Sequence, residues 1–232
     1  MKNILILFIG AVMLQSCIII RTDRDGVYRN YDNSEKVQDF AGKPMESRDF
    51  EVKKFSEIKA NSAMKVYIKK APQQKVVVSS NAINYIVVSS DNGILKVEYN
   101  NQNNSINNIN AEVTVYTPDF ENLSASSAGQ IFINDDFQLN KLKINLDSAG
   151  KVMGNIFAEK LFVNVSSAAF LESKVQSKII EIDASSASKV NLSGSTDEIK
   201  INASSVAKIN LENLKYKNIQ KESSSLAKIY VK

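Results

Sequence analysis

The sequence predicts an all-β fold, a parallel β-helix (solenoid) with rungs of about 19–21 residues, preceded by a region that contains a β-hairpin. The first observation behind this prediction is a phrase that recurs seven times. Aligning the copies gives a column that is serine throughout: Ser62, Ser127, Ser148, Ser167, Ser186, Ser205 and Ser225. From Ser127 onward the spacings are 21, 19, 19, 19 and 20 residues. A fixed period of this length predicts a solenoid in which each repeat stacks on its neighbours.

The second observation is the alternation of apolar and polar residues on both sides of each serine. Leu161, Val163 and Val165 alternate with less apolar or polar residues before Ser167, and Val190 and Leu192 do so after Ser186. A period of two indicates β-strands, which a corner at the small residues would join into one coil. Rungs would lie ~4.8 Å apart, and a right-handed coil is favoured on topological grounds.

The serine column is interpreted as a structural ladder. Counting by twos from Val163 and Val165 places Ser167 on the inner face of a corner, where only small residues fit. Stacked hydroxyl groups would then hydrogen-bond from rung to rung and satisfy their buried polarity. The residue before each serine has outward parity and is of a type that favours turns.

Residues 1–16 are interpreted as a lipoprotein signal peptide. Lys2 provides the positive charge, and Ile4–Leu14 is an apolar run too short to span a bilayer. The run ends in Leu-Gln-Ser-Cys, which resembles the bacterial lipobox, so Cys17 is the predicted site of lipid attachment. The alternative is an ordinary secretory signal with an incidental cysteine. Because Cys17 is the only cysteine, an intramolecular disulfide is excluded.

The remaining chain is divided into three parts. Residues 17–45 contain the lipidated cysteine and a flexible tether of mixed charge. Residues 46–118 hold the first rungs and a hairpin around Asp91-Asn92-Gly93, with residues 75–116 forming either longer rungs or an antiparallel flap. Residues 119–232 form the regular serine-rich repeat of the same domain.

Catalytic and metal sites are not expected. The chain has no histidine, which removes the usual base of nucleophilic hydrolases and the commonest zinc ligand. Ser-x-x-Lys occurs five times, from Ser62/Lys65 to Ser225/Lys228, but in a strand–corner–strand context rather than on a helix. The candidate acids are scattered: Asp135, Asp136, Asp147, Glu172 and Asp183. We therefore expect no cofactor, no metal and no enzymatic activity.

A column of lysines is the candidate binding stripe. Lys151, Lys189, Lys208 and Lys228 share one repeat position, which Phe170 interrupts. Such a stripe could contact anionic glycan or lipid head groups; the alternative is that lysine only keeps an exposed strand soluble. The net charge of +4 is too small to indicate nucleic acid as a partner.

The lipobox, the block MKVYIKKAPQQKVVVSSNAINYIVVSSDNGILKVEY and the phrases SSAGQI, DSAGKV and SSASKV resemble the bacterial putative auto-transporter adhesin, head GIN domain family, over about Phe50 to Lys232. The resemblance implies a β-helical protein that is secreted or lipid-anchored, and it brings no catalytic motif.

The expected function is a non-enzymatic binding or adhesion module of the cell envelope, with a glycan, matrix or envelope-protein ligand. We expect it on the outer membrane, facing the periplasm or the exterior. The alternatives are a carbohydrate-active β-helix enzyme and a structural protein that self-associates.

Overall fold

The computed structural model describes residues 38–100 and 106–232, and residues 35–232 form one compact unit. The predicted signal peptide, Cys17 and most of the tether lie outside the described residues. Strands make up most of the described chain, with one short 3-10 helix at Ile83–Tyr85. Among the described residues, no helix has the length and apolarity needed to cross a bilayer.

Seventeen strands follow one another along the described chain: β1 Gln38–Asp39, β2 Glu46–Phe50, β3 Glu57–Ala60, β4 Lys65–Lys70, β5 Lys75–Ser80, β6 Ile86–Asp91, β7 Ile94–Tyr99, β8 Ile106–Asn107, β9 Ala111–Thr117, β10 Asn122–Ala125, β11 Gln130–Ile133, β12 Gln138–Leu146, β13 Lys151–Val165, β14 Phe170–Ala184, β15 Lys189–Ala203, β16 Lys208–Ser223 and β17 Lys228–Tyr230. Strands β1 and β8 pair with each other, and the other fifteen form one continuous sheet.

The long strands stack in parallel and in register, which confirms the predicted β-solenoid. Residue 163 of β13 pairs with residue 182 of β14, which pairs with residue 201 of β15, so the serine spacing equals the distance along the chain between stacked positions. The additional residue between the last two serines is taken up by an irregularity in the β15–β16 pairing after Asn191. The hand of the coil stays a prediction.

Each rung contains three extended segments, which we call the first, second and third faces. In the rung that begins with β13, Lys151–Met153 belongs to the second face, and a bend at Gly154 leads to the third face, Asn155–Ala158. A second bend at Glu159, where the alternating burial is interrupted, leads to the first face, Lys160–Val165. A four-residue turn then connects this first face to the second face of the next rung.

The N-terminal region combines the two arrangements that the sequence left open. Strands β7 and β9 are parallel to β3 and β4 and stack on them as rung segments. Strands β2 and β5 continue from β9 in antiparallel orientation, and β6 pairs with β7 in a hairpin around Asn92 and Gly93. The rung of β3 and β4 therefore lies between that of β7 and β9 and that of β10 and β11.

The core is a set of apolar columns that run through the rungs. One column on the first face is at most 1% exposed at every member: Leu95, Ile58, Leu123, Ile144, Val163, Ile182 and Ile201. Full burial of such a side chain contributes about 1.5–3 kcal/mol. The outward residues of the same strands are mostly charged or polar, so each face has one buried and one solvated side.

The repeated phrase forms a turn of the type I′ kind. In Ser126–Gly129 the two central residues have φ values of 48° and 62°, and the Gly129 amide donates to the Ser126 carbonyl over 2.9 Å. Such turns usually connect hairpin strands. Here the flanking strands β10 and β11 pair with neighbouring rungs instead, and the turn amide of Ala128 donates to the Ser148 carbonyl of the next rung. The backbone ladder therefore continues through the corner.

The prediction that the second serine faces inward is wrong. All seven residues of that column are exposed and have positive φ: Ser62, Ser127, Ser148, Ser167, Ser186, Ser205 and Ser225. Counting by twos fails here because two successive left-handed residues change the direction of the side chains relative to a strand. The buried small residue is the fourth of the turn, occupied by Gly129, Gly150 or Ala169 in three of the copies.

Ser188 occupies this fourth turn position and is the one place in the column where a hydroxyl group is buried. It is 1% exposed, and its Oγ has no hydrogen-bond partner. Ala169 and Ala207, its neighbours in the stack, show that a methyl group fits. We expect Ser188→Ala to raise the free energy of unfolding by about 1 kcal/mol, because an unpaired buried hydroxyl is removed. Urea denaturation would measure this, with Ser186→Ala in the exposed column as the control that leaves stability nearly unchanged.

Candidate binding surface

Rung-to-rung side-chain hydrogen bonds run through the first position of the turn. Ser126 Oγ donates to Asn61 Oδ1 over 2.8 Å, and Ser166 Oγ donates to Asp147 Oδ1 over 3.1 Å. The pKa of Asp147 lies below its ordinary value because the Ser167 hydroxyl, the Ser166 hydroxyl and the backbone amide of Ser148 donate to its carboxylate. The second serine column thus contributes to this polar ladder locally, from the solvent side.

The lysine stripe lies on the outer side of the second face, at its first position. Pairing places Lys151 beside Phe170, Phe170 beside Lys189, Lys189 beside Lys208, and Lys208 beside Lys228. Neighbouring members are therefore ~4.8 Å apart in the direction of the solenoid axis. The Lys189 ammonium lies 5.5 Å from the centre of the Phe170 ring, a cation–π contact across the interruption.

The stripe also extends beyond the residues that the sequence indicated. Gln130 pairs with both Lys151 and Lys65, so Lys65 continues the same column on the N-terminal side. The next outward column contains Tyr67 and Phe132, whose rings stack with centres 4.9 Å apart. Sequence reasoning missed both features because the pairing of β4 with β11 crosses more than 60 residues of chain.

None of the lysines in the stripe forms an ion pair within the part of the chain that the structure describes. The five ion pairs there involve lysines at other positions: Lys53, Lys59, Lys75, Lys178 and Lys217. Like charges that face each other on a sheet repel and destabilise it. The stripe is therefore a line of exposed positive charge with no carboxylate partner.

The first face has a different electrostatic character. Its outward column near the turn contains Asn145, Asn164, Asp183, Asn202 and Glu222. Neighbours in this column bond to each other: Asn164 Nδ2 donates to Asn145 Oδ1 over 2.9 Å, and Asn202 Nδ2 donates to Asp183 Oδ1 over 2.7 Å. A groove of about 480 Å³ lies between this column and the turns. The groove is polar and mildly acidic, and the amides use part of their capacity within the ladder.

The corner between the third and first faces has charges of alternating sign. Glu159, Lys178, Asp197 and Lys217 stack there, with ion pairs between Glu159 and Lys178 and between Asp197 and Lys217. The hydrogen bond and attraction of Glu159 raise the pKa of Lys178, and the same hydrogen bond lowers the pKa of Glu159. These charges neutralise one another, unlike those of the stripe.

The catalytic candidates do not come together. Asp135 and Asp136 lie in the loop between β11 and β12, where Asp135 Oδ2 accepts the Lys70 backbone amide over 2.7 Å. Asp147 begins a turn, Glu172 is on the second face and Asp183 is on the first. The described residues contain no cluster of three acidic, histidine or cysteine side chains placed to hold a metal ion. The Ser-x-x-Lys motifs run from the turn into a strand, not along a helix.

The profile of the family described as "Putative auto-transporter adhesin, head GIN domain" matches residues 54–232. The chain belongs to this family. The match covers all the regular rungs of the head GIN domain and the hairpin region that precedes them. Among curated proteins, none matches the chain.

Solved structures with this fold come from related gut bacteria. A "putative adhesin" of Bacteroides fragilis has 16% identity and a TM-score of 0.63, over 82% of this chain and 98% of its own. A "putative lipid binding protein" of Parabacteroides distasonis has 18% identity and a TM-score of 0.62, over 85% and 100%. A "putative adhesin" of Parabacteroides merdae has 14% identity and a TM-score of 0.54, over 84% and 99%. At these identities the likeness establishes the fold.

Proposed function

We propose that this protein is a cell-envelope lipoprotein, anchored in the outer membrane through a lipid on Cys17, that acts as a non-enzymatic adhesion module. Its ligand is an anionic glycan of a cell or matrix surface, bound by the lysine stripe of the second face. Membership in an adhesin family supports binding as the activity, and two structural neighbours carry the same name.

The observation that carries the proposal is the run of unpaired lysines at Lys189, Lys208 and Lys228. Register places them side by side, and no carboxylate within the described residues pairs with them. An anionic polymer aligned with the solenoid axis would meet one ammonium group per rung, and its charge would relieve their mutual repulsion. The other faces offer no such run, because their charges are mixed or paired.

The test is the binding of residues 35–232 to anionic and neutral polysaccharides, compared with the variant Lys189→Ala/Lys208→Ala/Lys228→Ala. We expect wild-type binding to anionic chains that weakens as salt is raised. If each lysine contributes about 1 kcal/mol, the triple variant binds about a hundredfold more weakly. Surface plasmon resonance on immobilised polysaccharide would measure both effects.

The matched control removes three exposed lysines from other columns: Lys96→Ala/Lys143→Ala/Lys200→Ala. Because this variant has the same net charge as the first, it separates the position of the charges from their number. Equal losses in the two triple variants would reduce the effect to net charge and refute the stripe. Absence of binding by the folded wild-type protein to every anionic polysaccharide would refute the proposed ligand class.

A further inference from the structure

Large exposed apolar side chains are concentrated on the last two rungs. The described chain has five: Met45, Val87, Val206, Leu226 and Tyr230. Val206 and Leu226 occupy the same turn position in neighbouring rungs, where the Val206 amide donates to the Ser225 carbonyl over 3.0 Å. They are 48% and 82% exposed. Together they form an apolar ridge on the corner between the first and second faces, which we call the corner ridge.

The exposure of the corner ridge is a property of the turn. The third turn residue is exposed in every copy, including those in the middle of the stack, and it is alanine in the other five: Ala63, Ala128, Ala149, Ala168 and Ala187. A neighbouring rung therefore does not cover this position. Valine and leucine at the last two turns place additional apolar surface in water, where alanine would leave little.

Val206 also strains the backbone. Its φ of 67° lies in the left-handed region, where a β-branched residue is a genuine outlier. Such strain costs about 1–3 kcal/mol and is retained mainly at positions that serve a function. Because neither stability nor solubility favours valine here, its presence indicates a contact made by the side chain outside the chain itself.

The surroundings of the corner ridge are cationic on one side. Lys208 and Lys228 follow Val206 and Leu226 by two residues on the second face, and Tyr230, 43% exposed, lies beyond Lys228. Residues 200–232 contain seven lysines against two glutamates. On the first-face side, the nearest outward column holds Asp183 and Glu222. The corner ridge thus separates a basic surface from a mildly acidic one.

We propose that the corner ridge, with Lys189, Lys208, Lys228 and Tyr230 beside it, docks on an anionic lipid bilayer. Val206 and Leu226 enter the interface, the ammonium groups meet lipid phosphates, and the tyrosine lies at head-group level, where amphipathic rings are favoured. The acidic first face makes the second face the one that tilts towards the membrane. The proposal shares its lysines with the proposed function but depends on apolar residues that glycan binding does not need.

The experiment measures sedimentation of residues 35–232 with phosphatidylcholine vesicles, with and without phosphatidylglycerol. We expect binding that requires phosphatidylglycerol and weakens with salt. Val206→Ala/Leu226→Ala places alanine where five other turns already have it, so the fold is retained. Because these changes remove buried methyl groups from the interface, we expect at least about tenfold weaker binding. The same variant should unfold at equal or higher urea concentration, since the strain at Val206 is relieved.

Val87→Ala is the matched control, because it removes a 38%-exposed valine from β6, far from the corner ridge in the stack. It should leave vesicle binding unchanged. Vesicle binding that is equal in wild type and Val206→Ala/Leu226→Ala, or absent in wild type, would overturn membrane docking. A double variant that loses vesicle binding and keeps polysaccharide binding would support both proposals. Loss of polysaccharide binding in the same variant would instead assign the corner ridge to the glycan site.

Discussion

Removal of residues 167–185 is expected to leave a folded solenoid that is shorter by one rung. The deletion joins Ser166 to Ser186 and restores the turn sequence Ser-Ser-Ala. It moves Val163 beside Ile201 in place of Ile182, which keeps the inward column apolar. Because each rung contacts only its neighbours, the chain loses one repeat and one interface without disturbing the rest.

The measurement is urea denaturation of residues 35–232 followed by circular dichroism. We expect one cooperative transition whose denaturant dependence falls by about a tenth, since less surface is exposed on unfolding. The control deletes residues 168–185, one residue fewer, and leaves an additional serine in the turn. That residue breaks the four-residue turn or shifts the following strand to the opposite facing, at a cost of ~3 kcal/mol or more. Equal stability of the two deletions would contradict the register-based architecture.

Gly194→Ala is expected to be the most destabilising single substitution among the glycines, by about 3 kcal/mol or more. Gly194 lies in the bend between the second and third faces of β15, with a φ of 103°. A Cβ there would lie 2.1 Å from the Val175 carbonyl oxygen of the preceding rung. The clash involves backbone that is held in the parallel ladder, so relief requires the two rungs to separate locally.

Gly93→Ala separates the two causes of this effect. Gly93 also has a positive φ, 76°, but a Cβ there would meet no atom within 4 Å. The substitution therefore adds backbone strain alone, about 1 kcal/mol. Chemical denaturation of both variants gives the difference that belongs to the clash. Similar losses for the two would show that the rungs adjust without cost and would refute the close contact.

The repeat and the alternation were sufficient to predict the architecture. Ile, Leu and Val at every second position specify strands with one buried face, and the spacing specifies which residues stack. The register between Val163, Ile182 and Ile201 confirms both deductions. The placement of Lys189, Lys208 and Lys228 in one column follows from the same local spacing, so the candidate site was visible before the structure.

The sequence did not predict the turn conformation or the order of the first rungs. Two successive left-handed residues are costly for serine and alanine, and only the hydrogen bonds between stacked turns make them acceptable, so Ser167 faces solvent contrary to its parity. The rung of β3 and β4 acquires its second neighbour, β10 and β11, through pairs about 65 residues apart.

What the sequence by itself determined is the set of strands, their buried faces and the columns of the regular rungs, because these depend on local periodicity. What only the tertiary structure decided is the facing of the corner residues, the insertion of β3 and β4 between later strands, and the exposure of Val206 and Leu226. Each of these depends on hydrogen bonds between rungs, and a pattern within one rung carries no information about them.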